Sequence, residues 1–145
     1  LWLRVEWLDE NGMTINPAEI KQGTTFWGHF RAGPVETRRR RLKELALVQI
    51  LPSGWEIENI RLLKEDLPQW MAKWVLNREE YLDIRDDRIM WFFDFPWNGK
   101  YLDFVVKLTA VTKGDFVLPP TLFEAMYNNR YQAIKPGKPV RVVDR

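Results

Sequence analysis

The first eight residues set a pattern that most of the chain repeats. Leu3, Val5 and Trp7 fall on one side of an extended segment and Arg4 and Glu6 on the other, which is the period of a half-buried strand over 1–8. Asp9-Glu10-Asn11-Gly12 predicts a turn, because Asn-Gly accepts positive φ at low cost. Lys21-Gln22-Gly23 predicts a second turn. The β-branched and aromatic residues 24–30 predict a strand that Gly33-Pro34 stops. Residues 44–51 form a nearly continuous apolar run ending at Pro52-Ser53-Gly54, as suits a central strand meeting a turn. Further strands are predicted over 81–84, 89–95, 101–111 and 115–118. Turn signals separate them at Asp86-Asp87, Pro96-Trp97-Asn98-Gly99 and Lys113-Gly114. Residues 132–134 and 140–143 supply a last strand or strand pair around Pro136-Gly137-Lys138-Pro139.

One segment departs from the two-residue period. Leu67, Trp70, Met71, Trp74 and Val75 recur at three and four residues, which predicts one short helix over 67–76. Pro119-Pro120 cannot donate ladder hydrogen bonds, so the residues after it are expected in a loop. That loop carries Glu124, Met126 and Tyr127, and Asn128-Asn129-Arg130 returns it to water. Roughly seven short strands at this turn spacing predict an all-β fold, an antiparallel two-sheet β-sandwich with one short helix. No repeat, low-complexity tract or long linker divides the sequence, so 1–145 reads as a single domain.

Composition narrows the function. Apolar residues are 46% and aromatics 14%, enough anchors to exclude a disordered chain. The formal net charge of +2 lacks the localised basic excess of a nucleic-acid binder. There is no cysteine, so disulfides, thiolate nucleophiles and Cys-ligated metals are excluded. The sequence starts at Leu1 without a basic and apolar leader and reads as a piece of a longer protein.

Four clusters invite a chemical reading. Arg38-Arg39-Arg40-Arg41 with Lys43 could hold phosphate or an acidic partner, but Glu36 and Glu44 flank it and no aromatics interleave, so a solvated loop is the better reading. His29 is the single histidine; catalysis would need an oriented nucleophile or carboxylate, so a structural role in a strand is expected. Asp83, Asp86 and Asp87 could offer oxygen ligands to Ca²⁺, but Arg85 and Arg88 are interleaved with them. A metal-free charge network at a strand junction is expected there. Trp91, Phe93, Phe95 and Trp97 alternate; exposed they would suit carbohydrate stacking, but the ordinary meaning of such a stripe is a core face. No phosphate loop, Gly-x-Ser-x-Gly turn or His-Glu-x-x-His pair is present, so neither enzyme activity nor a cofactor is expected.

Several blocks, in order, carry a resemblance. Residues 47–59, Leu-Val-Gln-Ile-Leu-Pro-Ser-Gly-Trp-Glu-Ile-Glu-Asn, resemble the apolar strand, Leu-Pro-x-Gly turn and Glu-x-Glu-Asn run in the last macroglobulin-like domain of bacterial alpha-2-macroglobulins. Residues 83–88, Asp-Ile-Arg-Asp-Asp-Arg, and 110–120, Ala-Val-Thr-Lys-Gly-Asp-Phe-Val-Leu-Pro-Pro, look like two further blocks of that family. Glu124-Ala125-Met126-Tyr127 resembles its Glu-x-Met-Tyr sequence, and Lys21-Gln22-Gly23 the Lys-Gln-Gly near its domain start.

The resemblance implies a C-terminal, macroglobulin-like (fibronectin-like) sandwich inside a large periplasmic protease trap, anchored at the inner membrane as a lipoprotein. It implies that the domain packs against a helical thioester-type domain of the same parent chain, and meets target proteases only through the full-length protein. It further implies that Met126 and Tyr127, with Glu124 nearby, help cover the reactive thioester before activation. The alternative from another class is a carbohydrate-binding module of an envelope protein, resting on Trp91 and Trp97.

Overall fold

The computed structural model describes residues 1–34, 42–58, 67–76, 81–95 and 100–145. The Arg38–Arg41 run, the 96–99 turn and Trp97 lie outside them. The sequence alternation is realised as β1 (Trp2–Leu8), β2 (Ile20–Lys21), β3 (Thr25–Gly33), β4 (Leu42–Ile50), β5 (Trp55–Ile57), β6 (Tyr81–Arg85), β7 (Arg88–Phe95), β8 (Leu102–Ala110), β9 (Gly114–Leu118), β10 (Thr121–Ala125), β11 (Asn128–Lys135) and β12 (Lys138–Val143).

The described residues form three sheets. One has the order β1-β3-β8-β5, a second β11-β10-β4-β7-β6, and a small third β2-β12-β9. Among the described residues every strand ladder is antiparallel except the short parallel pairing of β12 with β2. The first two sheets form the expected sandwich. Their inner faces meet through rings from opposite sheets: Trp91 lies 5.3 Å from both Phe30 and Phe104, and Phe93 lies 4.7 Å from Phe104. Strict alternation puts Phe26, Phe30, Phe104, Val106 and Leu108 on one inner face and Leu45, Leu47, Trp91, Phe93 and Phe123 on the other. The third sheet adds Ile20, Leu118, Val140 and Val142 to the same core.

Glycine is required at two telling places. Gly28 pairs with Trp7, and a Cβ there would meet the indole at 2.9 Å. Gly12 takes φ +84° in the predicted turn, where Asp9 Oδ1 accepts the N–H groups of Asn11 and Met13.

The segment 67–76 is less helical than its spacing suggests. Only Gln69–Met71 forms a helical turn, of the 3-10 type. Two tertiary bonds, which also set the parallel bridge of Leu76 to Asp103, compete with helix propagation. Val75 N–H donates to Asp103 Oδ2 at 2.8 Å, and Val75 C=O accepts from Asp103 N–H at 2.8 Å. A helix of this length is marginal in water, so outside partners decide its backbone. The apolar residues instead flatten the segment as a strap over the outer face of the first sheet. Met71 joins Leu8 and Trp27 in a satellite cluster packed by Trp70, Trp74 and Val105.

Candidate interaction site

The residues after Pro119-Pro120 are a strand rather than the expected loop. The prolines supply no N–H, so the ladder starts immediately after them, at Thr121. From there Thr121, Phe123 and Ala125 point into the core while Leu122 and Glu124 point outward and are half-buried. This two-residue alternation was present in the sequence and outweighs the proline signal. β10 lies between β4 and β11, so it is an interior strand. Glu124 therefore stands within the sheet, opposite Ala46 and Gln132.

Met126 and Tyr127 occupy the tight turn between β10 and β11, closed by the Ala125–Asn128 pair. They are 50% and 55% exposed, whereas Ala125 just before them is fully buried. Met126 N–H donates to Glu44 C=O at 2.9 Å. The structure thus presents a thioether and a phenol ring on a turn whose root is fixed in the core. Both suit contact with an irregular partner surface, the thioether through its flexibility and the ring through its area with one polar tip.

The acidic block spans the β6–β7 hairpin. Arg85 and Arg88 face each other across the Asp86-Asp87 turn. Asp87 takes both Arg88 Nε and Nη2, at 3.0 and 2.9 Å, which holds its carboxyl below the usual range and raises the Arg88 guanidinium. Asp83 sits 3.5 Å from Arg85, and Asp87 C=O accepts Leu51 N–H at 2.7 Å, tying the end of β4 to the hairpin. Asp83 is on the strand and Asp86 and Asp87 are on the turn. Among the described residues no three His, Asp or Glu side chains gather to hold a metal ion.

Sequence reading gave His29 a structural role but did not foresee its partners. Its ring nitrogens lie 2.7 Å from Glu6 Oε1 and 2.7 Å from Asp103 Oδ1. Carboxylates accept only, so both bonds form fully only when the imidazole carries both protons. Arg31 adds Nε to Asp103 Oδ1 at 2.7 Å and stacks on Tyr101, 4.3 Å from the ring centre. Burial pushes the Asp103 carboxyl up, but the hydrogen bonds from His29, Arg31 and Val75 N–H and the His29 charge outweigh it and hold it low. With both nitrogens engaged and Trp74 lying on the ring, this imidazole has no free nitrogen for acid–base chemistry. The available signal was that Glu6, His29 and Arg31 all occupy polar positions on outward faces of their strands; Asp103 could be matched to them only by knowing the β3–β8 register.

Trp91 is buried between the sheets, so the carbohydrate reading has no exposed platform there. What remains is a β-sandwich of macroglobulin type offering an apolar turn. Residues 1–129 match the family described as the Bacterial Alpha-2-macroglobulin MG10 domain, and the chain belongs to that family. It is similar to an alpha-2-macroglobulin of Rickettsia conorii, 28% identical over 125 residues, covering 85% of this chain and 6% of the relative. It is also similar to an alpha-2-macroglobulin homolog of Yersinia pestis, 24% identical over 151 residues, covering 90% of this chain and 7% of the relative. The chain thus spans less than a tenth of the curated relatives it matches. Among solved structures, Escherichia coli alpha-2-macroglobulin activated by porcine elastase aligns with TM-score 0.82 at 19% identity, covering 99% of this chain and 13% of that one. Salmonella alpha-2-macroglobulin reacted with methylamine aligns with TM-score 0.79 at 21% identity, covering 99% and 9%. The chain is a domain of an alpha-2-macroglobulin-like protein.

Proposed function

We propose that this chain is a single, non-catalytic interaction domain at the C-terminal end of a bacterial alpha-2-macroglobulin-like protease inhibitor. In this reading it packs against a thioester-type helical domain of the parent, and Met126 and Tyr127 cover the reactive bond until the trap is triggered. The observation that carries it is the pair of large side chains, Met126 and Tyr127, left half-exposed on a tight turn beside a buried strand. A thioester is an activated acyl group that water destroys, so an apolar cover that leaves on activation both protects and times it. Glu124 lies at the root of the turn, on the outer sheet face. The Asp83, Arg85, Asp86, Asp87 and Arg88 hairpin acts as a metal-free structural brace. Target proteases are met through the full-length protein, which on this reading is periplasmic and anchored to the inner membrane.

The test uses a parent carrying a Cys-x-Glu-Gln thioester. Met126→Ala/Tyr127→Ala should speed loss of the reactive bond to methylamine while changing the stability of the 145-residue chain by less than about 0.5 kcal/mol, since both side chains are half-exposed. An unchanged lifetime of the bond would refute the cover. The 145-residue chain alone should neither block nor cleave a panel of unrelated proteases.

A further inference from the structure

Glu44 has φ +57°, a left-handed conformation disfavoured for any residue with a Cβ, and it is the non-glycine residue with positive φ among the described residues. It lies in a bulge. Leu42 faces Phe95 and Leu45 faces Phe93, so Lys43 and Glu44 together oppose Asp94 alone. Two hydrogen bonds hold it: Glu44 N–H donates to Asp94 Oδ1 at 3.0 Å, and Glu44 C=O accepts Met126 N–H at 2.9 Å. Glu44 and Asp94 are both exposed, so neither side chain itself adds to the buried core. Such strain persists only where surroundings over-determine it, and bulges commonly re-aim a neighbouring group.

We propose that Glu44 and Asp94 are positioning residues for the Met126–Tyr127 tip, a proposal that rests on reading that tip as an interdomain contact. The last regular pair between β4 and β10 is Leu45 with Ala125. Beyond it the left-handed Glu44 carbonyl extends the hold by one residue, onto the turn itself. On the other side the ladder is irregular, because Glu124 pairs with Gln132 but Ala125 with Asn128. The β4 side is therefore the regular anchor, and Asp94 fixes the carbonyl that provides it. Loss of the Asp94 acceptor lets Glu44 relax, swings its carbonyl away and frees the tip.

Residue-resolved amide hydrogen exchange on the 145-residue chain tests this with Asp94→Ala, Asp94→Asn and Glu44→Gly. Losing one hydrogen bond should speed Met126 N–H exchange about tenfold in Asp94→Ala, with Leu47 and Phe123 unchanged. Asp94→Asn keeps an acceptor oxygen and Glu44→Gly tolerates the positive φ, so both should exchange as the wild type does. In a thioester-bearing parent, Asp94→Ala but not Asp94→Asn should shorten the lifetime of the bond in methylamine. Unchanged Met126 exchange in Asp94→Ala, or a uniform rise across the core, overturns the proposal. So does an unchanged lifetime in a parent where Met126→Ala/Tyr127→Ala shortens it. If that double variant itself has no effect, the cover reading falls, and the exchange comparison still decides the bulge.

Discussion

The indole of Trp74 lies flat on the imidazole of His29, with ring centres 3.7 Å apart and planes 8° from parallel. His29 belongs to the outer face of β3 and Trp74 to the strap, so this stack is where the strap is fastened. Trp70 strengthens it edge-on, 5.5 Å from Trp74 and 6.4 Å from Trp27, and donates its indole N–H to Glu10 C=O at 3.0 Å. Trp74→Ala should cost about 2–3 kcal/mol, less than a fully buried tryptophan because the ring is half-exposed. His29→Ala should cost more, about 3–5 kcal/mol, because it leaves the buried Asp103 carboxylate short of a partner. Urea unfolding checks the order, and a smaller loss for His29→Ala than for Trp74→Ala would sink this account.

Acid should release the same centre. Asp103 in the folded chain titrates below its ordinary value of about 3.9, so its contribution is present above that pH and is lost as pH falls through the lower folded value. Arg31 is raised by its hydrogen bond to Asp103 and stays charged throughout. Thr109 holds Glu58 low and Arg88 holds Asp87 low, so the wild-type acid limb is a sum. Asp103→Asn should be less stable at neutral pH and lose less stability below about pH 4 than the wild type. Parallel acid limbs for the two proteins in urea titrations would show that Asp103 is not part of the sum.

Gln49 is fully buried in the middle of an apolar strand. Its amide donates to Ile50 C=O at 2.7 Å and Pro119 C=O at 3.1 Å, and its carbonyl accepts from the Thr121 hydroxyl. It thereby fixes the proline linker to β4 and starts β10 at Thr121. Gln49→Leu restores apolar character yet orphans the Pro119 carbonyl and the Thr121 hydroxyl, at about 1–3 kcal/mol for each. Gln49→Leu/Thr121→Val should recover part of that loss. A single variant as stable as wild type in thermal unfolding would contradict the bond network.

Calcium should not stabilise the chain. The Asp87 carboxylate is taken by Arg88, and Asp83 lies against Arg85. Calorimetry with added Ca²⁺ should show no change in melting temperature; a rise reversed by a chelator would revive a metal site at the hairpin.

Much of the fold was legible because a β-strand exposes its period directly. Alternation at Leu3, Val5 and Trp7, and at Trp91, Phe93 and Phe95, marks the core faces in the sequence itself. The Asn11-Gly12 turn was legible for a local reason, a backbone conformation that glycine accepts. The tight turn at Met126 and Tyr127 was legible as an apolar tip, but the alternation of its supporting strand was set aside for the Pro119-Pro120 signal. Where the sequence reading failed, a distant partner overrode a local signal. The spacing of Trp70, Met71 and Trp74 suggested a helix, but Asp103 captured both backbone groups of Val75. Pro119-Pro120 suggested a loop, but Gln49 and the two flanking strands took up the residues that follow. The charged centre at His29 joins positions on three strands and the strap, through single bonds that span up to 74 residues of sequence. Local propensity spans a few residues, whereas these bonds exist only once strand register has brought remote residues together.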